Sequence, residues 1–240
     1  MSRRFYLPSE LNVAAVELAG SEAHHLLHVL RCQVGEKVCL FDGNGTEATA
    51  RIAAVTKRTA ELEIVATRSP EGPEHTQLIL ATAVPKGERF RWLVEKSTEL
   101  GVNRLIPLQT SRHVVDPGSG KLEKMRQTVI AACKQCGRNR LMRIGEATPW
   151  STFLENECRD QPVFVAHSDG QPSHEAVRPT GSATATSIVL AVGPEGGFTD
   201  AEIDEAVQLG ATLVSLGPRI LRIETAALAM ATLFGQMAST

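Results

Sequence analysis

Hydrophobic positions along this chain fall into two textures. Residues 77–84, 104–108, 163–166, 188–192 and 212–216 are short runs, apolar through most of their length and rich in Ile, Val, Leu and Ala. Such runs predict strands buried on both faces. Between them, residues 88–100, 122–136, 151–157 and 199–210 carry apolar side chains at helical spacing, with Gly101 and Gly210 placed to stop two of these helices. Thr199 with Glu202 three residues on has the form of a capping box, so a helix should open there. Strand and helix alternate, which implies a mostly parallel sheet with helices on both faces.

The first 68 residues have a different rhythm. Residues 38–41 and 48–55 flank the turn sequence Asp42-Gly43-Asn44-Gly45, and 60–65 alternates as a third strand, which predicts a small antiparallel sheet or barrel. One helix, capped by Ser21, interrupts it and carries His24, His25, His28 and Arg31. Residues 69–76, SPEGPEHT, read as a linker, giving domains at 1–72 and 73–240. Residues 167–187 are polar and predict a surface loop.

Two of the buried runs end in the same way, at Gly193-Pro194 and at Gly217-Pro218. A strand, a helix and a strand in that order make the two strands parallel, so both turns should emerge at neighbouring strand ends on the carboxyl edge, where open α/β sheets bind ligands. Gly193, Gly196 and Gly197 clear space for a ligand to approach the backbone. The loop has neither a Lys nor the G-x-G-x-x-G spacing, and Glu195, Asp200 and Glu202 crowd the helix start that a phosphate would need. A neutral or cationic ligand therefore fits better. The plainer reading, in which each Gly-Pro simply turns the chain, stays open beside it.

Composition narrows the class. With 240 residues, 42% hydrophobic, the chain can bury a sizeable core in one or two domains. No run approaches the roughly 20 apolar residues of a membrane span, and the start lacks the apolar stretch of a signal peptide, so a soluble cytoplasmic protein is expected. Five cysteines at irregular spacing do not describe a disulfide framework. His24 and His28 have no third metal ligand at a suitable spacing, and Cys133 and Cys136 would need two more, so neither pair is read as a metal site. The net charge of -2 weighs against a uniformly basic nucleic-acid binder. Between Glu123 and Glu146, however, there is no acid, while Lys124, Arg126, Lys134, Arg138, Arg140 and Arg143 fall in that interval. They form either a footprint for a phosphate backbone or a solvated helix face.

GPEGGF at 193–198, followed by LGPRILRIETAAL at 216–228, resembles the paired signature of the RsmE family, the 16S ribosomal RNA uracil-N3 methyltransferases of the SPOUT class. HHLLHVLR at 24–31, KGERFRWLVEKSTELGVNRLIPL at 86–108 and CKQCGRNR at 133–140 extend the resemblance over nearly the whole chain. One departure is Ser111-Arg112-His113, where the family usually carries Arg-Ser or Arg-Cys after the threonine.

The resemblance implies a SPOUT-type α/β knot, a parallel sheet with a deep C-terminal trefoil knot, preceded by a small PUA-like β-barrel. It implies S-adenosylmethionine held in a bent form at Leu190, Gly193, Pro194, Glu195, Gly196, Gly197, Leu216, Gly217, Ile220, Leu221, Thr225 and Ala226. It further implies a homodimer and 16S ribosomal RNA, within the small subunit, as partner. Arg222, Arg138 and Asn139 become candidates facing the target base, since a guanidinium can stabilise a developing uracil anion and an amide can read its edge. Arg3, Arg4 and Arg31 become candidates for phosphate contact. No general base is identified; Glu195 and Glu224 read as capping or salt-bridging groups. Two rival classes stand beside this one: a noncatalytic RNA-binding protein with a vestigial pocket, and an α/β enzyme using another nucleotide-like ligand.

Overall fold

The structure is a computed structural model and describes residues 3–68, 76–158, 161–176 and 187–238. The linker read at 69–76 therefore lies, except for Thr76, outside the described residues. The chain divides into two compact units, Met1–Pro73 with Cys133–Leu141, and Glu74–Ala132 with Met142–Thr240.

The N-terminal unit is built on β1 (Arg4–Tyr6), β2 (Ala15–Leu18), α1 (Gly20–His24), β3 (Lys37–Phe41), β4 (Glu47–Val55) and β5 (Ala60–Arg68). They form a five-stranded sheet in the order β1-β3-β4-β5-β2. The hairpins are antiparallel, and β1 joins β3 in parallel. Phe5, Leu26, Leu40, Ile52 and Leu62 lie in its core. The two outer strands were not foreseen, since three or four residues are too few for alternation to register. Ser21 does not cap the helix: the N-cap residue is Ala19, two residues earlier, and it makes no side-chain cap hydrogen bond. A π-helical turn, His25–Val29, follows directly.

The C-terminal unit carries β6 (Gln77–Ala83), α2 (Arg89–Glu99), β7 (Arg104–Gln109), most of α3 (Ser119–Cys136), β8 (Arg143–Ile144), β9 (Thr148–Pro149), α4 (Trp150–Glu157), β10 (Val163–Pro172), α5 (Ser173–Ala176), β11 (Ser187–Val192), α6 (Asp200–Gln208), β12 (Thr212–Ser215) and α7 (Ile223–Ala238). The sheet runs β12-β10-β11-β6-β7-β8, with β9 also on β7, and its neighbours are parallel. β11 is buried at all six positions, as a strand covered on both faces must be.

Two expectations need correction. β11 and β12 are parallel but are not neighbours, because β10 lies between them and pairs with both. Hydrophobic pattern identifies a buried strand without saying which strand lies beside it. Residues 167–172, expected as loop, continue β10. The register slips between Ala166 and Gln171, so that both face Val214 of β12. Gly170 permits this: a Cβ there would sit 2.4 Å from the Val214 nitrogen. After edge strand β12 the chain passes through residues 216–222 and returns as α7 onto β6, β11 and α2 in the middle of the unit. There the Phe234 ring meets Phe164 at 4.4 Å between centroids. This is the α/β-knot architecture of the SPOUT class.

Candidate active site

A cleft of about 750 Å³ opens where β10, β11 and β12 end. Three segments wall it: 192–198 after β11, 214–223 after β12, and 166–174 along the continuation of β10. Of the residues expected at a cofactor, Gly193, Pro194, Glu195, Gly197, Leu216, Gly217, Ile220, Leu221 and Ala226 line it. Leu190, Gly196 and Thr225 are not among the lining residues. Leu190 is fully buried inside β11, Gly196 abuts the Arg112 side chain, and Thr225 is exposed on the first turn of α7. The third wall was missed. His167, Ser168, Gly170, Ser173 and His174 belong to the stretch that reads as polar loop, and the available signal was its position directly after a buried strand at the carboxyl edge.

The loop after β11 is held from below. Phe198 is buried and its ring lies 4.4 Å from that of Trp150, which ties the loop to the core by about 1.5–3 kcal/mol of aromatic burial. Gly193 is needed above it, since a Cβ would come within 2.9 Å of the Phe198 ring. The Gly197 N–H donates to the Pro194 carbonyl at 2.9 Å, closing the turn, with Gly197 at φ +69. Thr199 and Glu202 form the expected capping box. The Glu202 carboxylate accepts from the Thr199 N–H at 2.7 Å and, on its other oxygen, from the Ser111 N–H at 2.7 Å. Burial pushes the Glu202 carboxyl up, but these hydrogen bonds outweigh it and hold it below the ordinary carboxylate value. The next residue, Arg112, donates to the Gly196 carbonyl at 2.8 Å. The segment that departs from the family sequence thus braces the cleft loop.

Two further carboxylates tie the cleft segments to α2. Arg89 at the start of α2 lies 3.8 Å from Glu195 and 3.7 Å from Glu224, one carboxylate from each Gly-Pro segment. Glu224 is only 6% exposed, and its second oxygen is buried without a partner among the described residues.

The cleft fits a ligand that is part flat and apolar, part cationic. Ile220 is 100% exposed at its wall, an apolar side chain with none of the described residues over it. Leu216 and Leu221 flank it, Glu195 offers negative charge, and Arg219 lines the same space. Its size falls within the roughly 300–1,000 Å³ of small-molecule sites. These features suit the adenine and the sulfonium of S-adenosylmethionine.

The expected substrate-side residues separate between the units. Arg222 is exposed in the C-terminal unit, and its carbonyl accepts from Ala226 at 2.9 Å. Arg138 and Asn139 belong to the N-terminal unit, just after Gly137, whose φ of +85 follows the end of α3. Arg3 is exposed and paired with Glu36 at 2.5 Å, and Arg31 is exposed at φ +52. Arg4 is placed differently from an arginine awaiting phosphate. It is 8% exposed, and its guanidinium bonds Glu47 and Asn139, each at 2.5 Å. Cys133 is buried, with its sulfur 3.6 Å from the Arg140 carbonyl. Among the described residues no group of three or more His, Cys, Asp or Glu converges to hold a metal, and no helix is long and apolar enough to cross a membrane.

Comparison with known proteins agrees with this geometry. Residues 72–235 match the RNA methyltransferase domain and residues 18–65 the RNA methyltransferase PUA domain. The ribosomal RNA small subunit methyltransferase E of Bacillus subtilis is 30% identical over 223 residues, 88% of this chain and 86% of that protein. Among solved structures, a methyltransferase of Legionella pneumophila in complex with S-adenosylmethionine superposes with a TM-score of 0.85 at 31% identity, covering 99% of this chain and 98% of the other. The ribosomal RNA small subunit methyltransferase E of Neisseria gonorrhoeae bound to S-adenosylmethionine gives the same TM-score, 0.85, at 31% identity and the same coverage, 99% and 98%. A PUA-type unit followed by a knotted parallel sheet, with both Gly-Pro segments at one cleft, places this chain in the RNA methyltransferase family of the ribosomal RNA small subunit methyltransferase E proteins.

Proposed function

We propose that the protein is an S-adenosylmethionine-dependent methyltransferase that modifies N3 of a uridine in 16S ribosomal RNA. It acts as a homodimer, in the cytoplasm, on RNA within the small ribosomal subunit. The observation that carries the reading is the cleft walled by both Gly-Pro segments, in a fold whose close neighbours hold S-adenosylmethionine. A vestigial pocket is not favoured. Gly193, Phe198 and Arg112 keep the loop open and braced, and a pocket without a ligand gains nothing from an uncovered Ile220.

When bound, S-adenosylmethionine supplies an electrophilic methyl group. Its transfer would put the methyl on N3 in place of the proton, which would pass to solvent, with the sulfur leaving as a neutral thioether. Uracil N3 carries its proton at neutral pH, so the protein's task is to hold the base out of its stack and to stabilise the anion as it develops. Arg222, beside the cleft segment in sequence and exposed, is suited to that charge. Arg138 is the second substrate-side cation, while Arg3 and Arg31 meet the RNA backbone. Leu228, Ala229 and Leu233 of α7 remain only partly buried in one chain, and this apolar remainder supports a second copy as the partner.

The test is methyl transfer from labelled S-adenosylmethionine to naked 16S RNA and to isolated small subunits, with the product nucleoside identified by mass spectrometry. 3-Methyluridine is expected, with transfer to subunits exceeding that to naked RNA. Label in a different nucleoside would overturn the N3 assignment, and none in either substrate would return the protein to the RNA-binding class.

A further inference from the structure

The segment Cys133–Leu141 comes late in the sequence yet belongs to the N-terminal unit, and the way it is fastened there is specific. At one end the Lys134 ammonium lies 2.9 Å from Glu22 of α1 and 5.4 Å above the Phe5 ring. At the other, the turn between β3 and β4 takes up the backbone. The Gly45 N–H donates to the Asn139 carbonyl at 3.2 Å, and the Leu141 N–H donates to the Gly43 carbonyl at 3.0 Å. Asp42 shapes that turn by accepting from the Asn44 and Thr46 N–H groups at 2.7 and 3.0 Å. Gly43, at φ +81, leaves room for Leu141, whose Cγ lies 3.0 Å from where a Cβ would be.

Arg4 ties the second of these ends to the sheet. From β1 its guanidinium reaches across β3, passing the Cys39 sulfur at 3.2 Å and lying over the Phe41 ring at 5.1 Å, to bond Glu47 on β4. Its other terminal nitrogen donates to the Asn139 side-chain oxygen. Burial pushes the Glu47 carboxyl up, but hydrogen bonds from Arg4, Cys39 and Asn139 hold it below the ordinary range, so the carboxylate stays charged. The Asn139 side-chain oxygen is thus held by a guanidinium that is itself anchored on Glu47.

We infer that Arg4 is a positioning residue: with Glu47 it latches Asn139, and so sets the place of Arg138, the adjacent substrate-side cation. An ion pair with one partner buried and the other half-buried adds little net stability, because desolvation offsets the attraction, and the Arg4 Nε is also buried without a partner among the described residues. Definition of position is what such a group contributes. Arginine is required because a planar fork can meet a carboxylate and an amide oxygen together, whereas an ammonium is a point charge. This inference rests on the proposed function only for the role of Arg138; the latch itself needs no RNA.

Arg4→Lys separates the two roles open to this residue. It keeps the charge, so a phosphate contact would survive it, but it cannot span Glu47 and Asn139. The expected result is faster hydrogen exchange at the Gly45 and Leu141 amides, with unchanged S-adenosylmethionine affinity. Turnover at saturating RNA, per cofactor-binding site, should fall roughly tenfold to a hundredfold, with KM for RNA and the salt dependence of binding unchanged. Asn139→Ala, which breaks the latch without altering the sheet, should do the same, and combining it with Arg4→Lys should add little. Wild-type exchange and turnover in Arg4→Lys would overturn the inference. So would an Arg4→Ala variant with normal turnover whose log-log salt slope is lower by roughly one unit, as a lost phosphate contact requires. If the wild type methylates no RNA, the proposed function fails, while hydrogen exchange still decides the latch.

Discussion

Glu202→Gln tests how the cleft loop is built. Wild-type Glu202 is 7% exposed and presents one oxygen to the Ser111 N–H and the other to the Thr199 N–H, each at 2.7 Å. Glutamine keeps one acceptor and turns an NH₂ group toward the other N–H, so one charge-assisted hydrogen bond is lost and a buried donor is left unpaired. That costs about 2 kcal/mol, and in a protein of this length it lowers the thermal midpoint by about 4–8 °C near neutral pH. The pH dependence gives a second check. The folded carboxyl titrates below its ordinary value near 4.5. Its contribution is therefore fully present above the unfolded pKa and is lost as the pH falls through the folded one. The gap between wild type and variant, followed by calorimetry, should close in that acid window. Arg112 loses its backing when Ser111 is released, so S-adenosylmethionine binding should weaken as well. A midpoint unchanged near neutral pH, or a gap that does not narrow as the pH is lowered below 4.5, would refute the reasoning.

Gly170→Ala should cost about 3 kcal/mol or more, because the new Cβ meets the β12 backbone at 2.4–2.7 Å; chemical denaturation measures it, and wild-type stability would contradict so close an approach. Gly193→Ala should cost about 1–3 kcal/mol and weaken cofactor binding, because the Phe198 ring must leave Trp150. Gly196→Ala should change stability by less than about 1 kcal/mol, since its nearest neighbour is the flexible Arg112 side chain at 3.4 Å; equal costs at the two glycines would dissolve the distinction. Arg222→Ala should lower methyl transfer roughly a hundredfold with S-adenosylmethionine affinity intact by calorimetry, and unchanged turnover would remove it from the reaction.

Local chemistry in the sequence determined a good deal of this protein. Buried runs such as 188–192 became β11, the Thr199–Glu202 box formed as written, and both Gly-Pro segments reached one cleft, because periodicity, capping and turn preferences act over a few neighbouring residues. The paired motifs identified the family for the same reason, since they are contiguous.

Only the tertiary structure decided which surfaces meet. It placed β10 between β11 and β12 and turned residues 167–172 from loop into the third wall of the cleft, through a strand slip that only Gly170 accommodates. It moved Cys133–Leu141 into the N-terminal unit and buried Arg4 against a partner 135 residues away. An arginine near a chain start reads in sequence as exposed charge. Whether it grips phosphate or spans a carboxylate and an amide depends on partners brought together by strand order and burial, and neither is encoded in the residues beside it.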